Sequence, residues 1–192
     1  MSLLSKLGKK SFKILLGEYS PYYIFQWTGK SSANEPVCPM GLEVRLINEE
    51  QLSSASTLMK EQAGYLGNES LGFGCFMEGQ LTGVCFYWYG EQYRARGFWP
   101  LDEKEAKLVQ IIVSPSMRGH GVAPMLVQMS AKAMNEMGFS SLYSRVWHSN
   151  TPSLRAFEKA GWFRIAFVLE INPFRRKKPF RFEWKMGTRQ TT

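Results

Sequence analysis

The sequence predicts an α/β domain, a mixed central sheet flanked by helices, in the order β-α-β-β-β-α-β-α-β-β. Three stretches carry that expectation. Residues 105–138, EAKLVQIIVSPSMRGHGVAPMLVQMSAKAMNEMG, read as a buried strand, a stop at Ser114-Pro115, a glycine-bearing loop and a long helix. Two apolar runs, 74–77 and 81–89, flank Glu78-Gly79, a hairpin signal. Thr151-Pro152 and Gly161 bracket a second helix, with Thr151 expected as its N-cap, between strands at 141–146 and 162–171.

Taken in order, residues 2–16 place Leu3, Leu4, Leu7, Phe12, Ile14 and Leu15 on one face, with Lys6, Lys9, Lys10 and Lys13 opposite. Such a basic amphipathic helix lies on an anionic membrane surface or packs on its own domain or a second subunit, which would make a homodimer. Lysines interrupt its apolar stretch, so it is not read as a signal peptide. Pro21 to Trp27 is a short strand or an irregular arm, and 29–39 is a Gly/Ser/Asn/Pro-rich linker. The expected organisation is an N-terminal extension and linker over 1–40, a folded domain over 41–187 and a flexible tail over 188–192.

Within that domain Leu42, Val44 and Leu46 alternate as a strand, and 48–60 reads as one helix with Leu52, Ala55 and Leu58 on one side. The 108–113 strand is rich in β-branched residues and ends at Pro115, which cannot donate to a ladder. Val122, Met125, Leu126, Met129 and Ala133 recur at helical spacing, and Gly138 is the C-terminal stop. The long connection 90–104 carries Tyr93, Arg94, Arg96, Phe98, Trp99 and Asp102. Loops of that length are often functional. Strands at 162–171 and 180–185 pair around the basic turn 175–178.

The 192 residues are 44% hydrophobic and 14% aromatic, enough for a core and too apolar for disorder. Cys38, Cys75 and Cys85 form no C-x-x-C pair, which argues for a reducing, cytoplasmic setting and against structural zinc. With only His120 and His148 besides, no metal site is inferred. No apolar run reaches the roughly 18 residues a membrane span needs. A formal charge of +8 favours anionic partners, yet no basic cluster is interleaved with aromatics, so nucleic acid is not expected.

The loop Arg118, Gly119, His120, Gly121, Val122, Ala123 has a chemical use. A helix's first turn carries unpaired amides and the positive end of its dipole, and glycines let those amides converge on a phosphate. A lone G-x-G is equally an ordinary strand-to-helix turn.

Arg118-x-x-Gly121-x-Ala123 after Ile111-Ile112-Val113-x-Pro115 resembles the acetyl-CoA motif of the GNAT superfamily, the GCN5-related N-acetyltransferases. Asn150-x-x-Ser153-x-x-Ala156-Phe157-Glu158-Lys159-x-Gly161-Trp162 resembles the second half of the same signature. The resemblance implies the GNAT-like acyl-CoA N-acyltransferase fold with acetyl-CoA as cosubstrate and no metal. By the same resemblance Ile111, Ile112 and Val113 bind the pantetheine arm through the main chain. Residues Arg118 to Ala123 hold the pyrophosphate, Asn150 hydrogen-bonds the pantetheine, and Phe157 borders the thioester. His120 has backbone duty only.

The implied reaction is direct attack of a primary amine on the acetyl thioester in a ternary complex. An alkylammonium of pKa about 10.4 must first lose a proton, and a thiolate of pKa about 8.5 gains by receiving one. A strand amide near Val113 could polarise the carbonyl oxygen. The sequence departs from its relatives where those protons move. Phe157 stands at the usual tyrosine acid, Arg145 where ribosomal-protein acetyltransferases keep a glutamate, and Val109 and Gln110 where polyamine acetyltransferases carry acids.

Three alternatives follow: water, Ser149 or Ser153 suffices for the leaving group; Glu105, Asp102 or Tyr143 serves through water; or the chain binds acyl-CoA without turnover, as a module peripheral to a membrane. Arg94, Arg96, Gln110 and Arg145 are the expected acceptor-side residues. Their charge disfavours polycations and suits a small molecule or peptide whose amine is carried on an anionic framework.

Overall fold

The computed structural model describes residues 18–29, 41–94, 100–173 and 178–187. The proposed helix over 2–16, most of the linker with Cys38, the loop residues Arg96, Phe98 and Trp99, the turn 175–177 and the tail lie outside them.

Among the described residues eight strands form one mixed sheet: β1 Glu18–Thr28, β2 Leu42–Ile47, β3 Ser70–Met77, β4 Gln80–Trp88, β5 Glu105–Val113, β6 Ser141–Trp147, β7 Phe163–Asn172 and β8 Phe180–Lys185. Their order is β2-β3-β4-β5-β6-β1-β7-β8. Only β5 and β6 are parallel; every other neighbouring pair is antiparallel.

The strand β1 corrects the expected domain start at residue 41. It lies between β6 and β7, pairing Tyr22 with Trp147 on one side and Tyr22 with Val168 on the other. Tyr22 and Ile24 are buried on one face, Phe25 and Trp27 on the other. A strand apolar on both faces belongs inside a sheet rather than on an arm.

Among the described residues two helices cover one face: α4 Val122–Glu136 and α5 Thr151–Lys159. Met125, Leu126, Met134, Leu154 and Phe157 pack there against Phe25, Tyr87 and Leu108. The opposite face carries α1 Glu49–Ser53 and α2 Thr57–Lys60, then α3 Gly90–Arg94. The single helix expected over 48–60 is thus two. Asn48 and Gln51 form a reciprocal capping box, and the Ser53 and Ser54 hydroxyls donate to the Glu50 carbonyl. Serines that bond their own backbone compete with helix propagation. Ser56 then starts the second helix, and Met59, outside the expected face, is buried with Leu52.

Turn chemistry follows the sequence at two places. Glu78 and Gly79 both have positive φ, +50° and +78°, and join Met77 to Gln80 as a primed two-residue hairpin. Gly138 at φ +98° closes α4. Within the expected 90–104 loop, Glu69 Oε2 accepts the amides of Glu91 and Gln92 and so starts α3, while Glu91 pairs with Arg94.

Candidate active site

The site begins where β5 leaves β6. The parallel ladder runs from Glu105–Ser141 to Leu108–Ser144 and then stops. Its cause lies on the other edge of β5. Phe86 pairs with Gln110 and Tyr87 with Leu108, so Val109 is an extra residue on β5. A bulge of this kind bends the strand that carries it. Meanwhile β6 follows β1 along its whole length to Trp147. The two strands diverge, and residues 109–113 turn an edge to the gap.

Three cavities run along that edge. The first, about 270 Å³, sits in the gap and is lined by Tyr93, Lys107, Gln110, Ile111, Arg145, Trp147 and others. The second, about 340 Å³, shares Ile111, Asn150, Ser153 and Phe157 with it and runs between β5 and α5 past Ile112, Val113 and Ala123. The third, about 420 Å³, shares Val113, Arg118, Ala123 and Ala156 with the second and ends on Gly119 and Gly121. Joined end to end they make a groove with a cationic mouth, an apolar middle and an opening on the opposite face.

The mouth is built by the backbone. Gly119 at φ +83° and Gly121 at φ +79° adopt conformations that cost an L side chain about 1–2 kcal/mol. Gly121 is the N-cap of α4 and offers no side chain to its amides. The first-turn donors therefore face outward to solvent or an anion. Arg118 stands beside them, and so do Arg155 and Lys159 of α5. Sequence reading missed these last two. Their four-residue spacing puts them on one helix face, which could have shown the pairing. His120 is exposed at the turn and lines none of the three cavities.

Asn150, rather than the expected Thr151, caps α5. Its Oδ1 accepts the Ser153 amide at 3.3 Å while its side chain borders the first two cavities. With the oxygen engaged, the carboxamide nitrogen is what it can present to a ligand. Phe157 is 1% exposed and packs on Phe25 at 5.4 Å and Trp162 at 5.0 Å. It lends the groove an apolar wall and holds the core at once.

In the gap, Gln110 Oε1 accepts the Ile111 amide at 3.2 Å, and its Nε2 donates to Gln62 Oε1 at 3.0 Å. Lys107 is buried with its ammonium 5.6 Å from the Tyr93 ring centroid. Arg145 stacks over Tyr22 and Trp147. No carboxylate stands among the described residues lining this gap.

Of the expected acceptor-side residues, Gln110 and Arg145 meet here. Arg94 does not. It lines an adjoining cavity of about 850 Å³ with Glu69, Asp102, Glu103 and Arg181, joined to the gap through Tyr93.

The proposed proton carriers are also sorted. Ser153 borders the groove. Tyr143 instead donates to Glu105 Oε1 at 3.0 Å and accepts from Gln26 Nε2 at 3.1 Å, and Glu105 Oε2 accepts the Asp102 amide. Neither Tyr143 nor Glu105 lines the cavities. Burial first, then the Glu105 carboxylate, pushes the Tyr143 phenol up to about 12. This cluster ties the end of the 100–105 segment to β6. Among the described residues no group of His, Cys, Asp and Glu could hold a metal ion, and no helix is long and apolar enough to cross a membrane.

The model of the acetyltransferase (GNAT) family matches residues 42–162. The chain belongs to this family. The GNAT assignment spans the site from β2 through α5 and leaves β1 outside it.

Solved GNAT-family structures share the fold at low identity. An acetyltransferase from Colwellia psychrerythraea is 18% identical with a TM-score of 0.58, covering 93% of this chain and 62% of its own. A GCN5-related N-acetyltransferase from Sphaerobacter thermophilus is 17% identical with a TM-score of 0.56, covering 96% and 57%. The GNAT chain here thus spans less than two thirds of the length of these neighbours. No curated protein matches it.

Proposed function

We propose that the protein is an acetyl-CoA-dependent N-acetyltransferase acting on a primary amine by direct attack. The observation that carries this reading is the continuous groove from Gly119 and Gly121 to the gap beyond Leu108. Its cationic mouth, apolar middle and exposed strand edge suit a diphosphate joined to an amide-bearing tail.

Arg118, Arg155, Lys159 and the α4 amides would hold the pyrophosphate. The edge of β5 over Ile111 to Val113 would pair with the pantetheine amides, supported by the Asn150 carboxamide. The amine's C–N bond forms as the C–S bond breaks; the nitrogen proton leaves to water, and the thiolate takes a proton from water, directly or relayed through the Ser153 hydroxyl, which water reprotonates.

The cations bordering the gap would favour the neutral amine: Lys107 and Arg145 line it, and like charges disfavour the ammonium form. The same pair favours acceptors that carry an anionic group, a small molecule or peptide, and disfavours polyamines. Buried Cys75 and Cys85 thiols fit a reducing, cytoplasmic setting.

Release of thiol from acetyl-CoA across a panel of amines tests the activity. Amine-dependent release supports it; release that needs no amine would be hydrolysis and would overturn transfer to an amine, and no release beside measurable coenzyme A binding favours the non-catalytic acyl-CoA-binding reading. Spermidine outperforming every anionic amine would overturn the acceptor class. Coenzyme A titrations of Gly121→Glu test the mouth, where a carboxylate and a strained φ should abolish binding.

A further inference from the structure

The wing of the sheet beyond α5 carries an apolar array unconnected to the groove. Cross-strand register sets Tyr19, Ile171 and Phe180 in one row, Pro21, Leu169 and Phe182 in the next, and Tyr23, Phe167 and Trp184 in the third. Directly opposed residues share a face, so nine apolar side chains stand together. Tyr23 and Phe167 lie 5.2 Å apart, Phe167 and Trp184 5.7 Å, and Phe182 and Trp184 6.4 Å. The inner corner packs on the core, but Tyr19, Phe180, Phe182 and Trp184 are 56%, 47%, 48% and 52% exposed. Contiguous exposed aromatics of this kind mark an interaction surface.

That surface is carried to the rim by β8, an edge strand. Its inner side pairs with β7 from Phe180 to Lys185, and among the described residues no strand pairs with its outer side. Open edges are templates for further strands. Arg181, Glu183 and Lys185 alternate with the aromatics on the opposite face.

We propose that two copies of this chain associate through β8, pairing antiparallel about a two-fold axis at Phe182 into one sixteen-stranded sheet. Charge complementarity selects the partner, and charge together with the length of strand paired selects the register: an axis at Trp184 would also set Glu183 against the partner's Lys185 but would pair only residues 183–185 of β8. A two-fold axis normal to the sheet keeps faces matched only when it passes through a residue. At Arg181 it would oppose two guanidinium groups, and at Glu183 two carboxylates. At Phe182 it sets Arg181 against the partner's Glu183 twice, Phe180 against the partner's Trp184 twice, and Phe182 against its own copy. Arg181 already lies 3.3 Å from Glu183 in its own strand, so the seam becomes an alternating ladder of four charges. Six aromatic rings line its other face.

Sedimentation equilibrium of the full chain tests the proposal, together with disulfide trapping. Opposed Cα atoms in antiparallel strands sit about 4.5–5.5 Å apart, within disulfide reach. The expected results are a mass of two chains, at least a tenfold weaker dimer for Phe182→Arg with an unchanged circular dichroism spectrum, and an oxidised dimer for Phe182→Cys but not for the unsubstituted chain. Phe180→Cys and Trp184→Cys should each stay uncrosslinked alone and crosslink when mixed. A monomer at all concentrations, a dimer indifferent to Phe182→Arg, or a homotypic crosslink at Phe180→Cys or Trp184→Cys would overturn it.

Discussion

The side-chain oxygen of Gln110 holds the backbone N–H of Ile111 at the point where β5 leaves β6. That amide faces the gap, where a thioester carbonyl oxygen would need a donor. Binding an acyl thioester there exchanges one acceptor for another. A net hydrogen bond of about 0.5–1.5 kcal/mol then opposes binding. Gln110→Ala should lower the KM for acetyl-CoA about two- to tenfold. A raised KM in steady-state assays would mean that Gln110 grips the ligand instead.

Asn150 has two separable duties. Losing the cap in Asn150→Ala should cost about 1 kcal/mol, a fall in Tm of about 2–4 °C for a chain of this size, and weaken coenzyme A as well. Asn150→Asp keeps the oxygen that accepts the Ser153 amide but loses the nitrogen donor. Its Tm should stay close to that of the unsubstituted protein while coenzyme A affinity falls. Calorimetric titration beside thermal melts distinguishes the two; a parallel loss in both would make Asn150 a cap alone.

At the groove's mouth Arg155 and Lys159 are exposed, so solvent and salt screen them. Arg155→Ala and Lys159→Ala should each weaken coenzyme A about two- to tenfold at low salt, and less as ionic strength rises. Dephospho forms of the ligand bear on the same contact. A salt-independent loss would point to packing rather than charge.

Alkali should separate structure from chemistry at Tyr143. The folded chain keeps this phenol protonated up to about pH 12, whereas an ordinary tyrosine ionises near 10. The folded state therefore binds more protons across that window, and its stability is whole below pH 10 and declines as pH climbs toward 12. Burial likewise raises the Cys85 thiol, to about 12, and the Tyr22 and Tyr87 phenols, adding slope of the same sign. Tyr143→Phe should flatten the alkaline limb of denaturant-measured stability and leave the rate profile near neutrality alone. A neutral-pH loss of turnover above tenfold would return Tyr143 to the proton path.

Sequence order made the groove legible, because its ingredients are local. Gly119 and Gly121 and the β-branched run ending at Val113 each act within a few residues of themselves. What stayed hidden depends on distant partners. The aromatics of β1 declare a central strand only once β6 and β7 flank them. Arg155 and Lys159 reach the mouth because α5 packs beside α4. Arg94 looked equivalent to Arg145 in charge, yet α3 carries it to a neighbouring cavity. Tyr143 and Glu105 looked like spare acids until their mutual hydrogen bond fixed them as a brace.

The strand β1 is wedged between two strands that follow it in the sequence, and that sets the timetable of assembly. Tyr22 must wait for Trp147 and Val168 before either flank can close, so those contacts span most of the chain. Closing such wide loops slows a folding reaction. A ribosome-bound fragment ending before β6 would hold β2 to β5 as a meander with Tyr22, Ile24, Phe25 and Trp27 still unclaimed, a period in which chaperones have something to grasp.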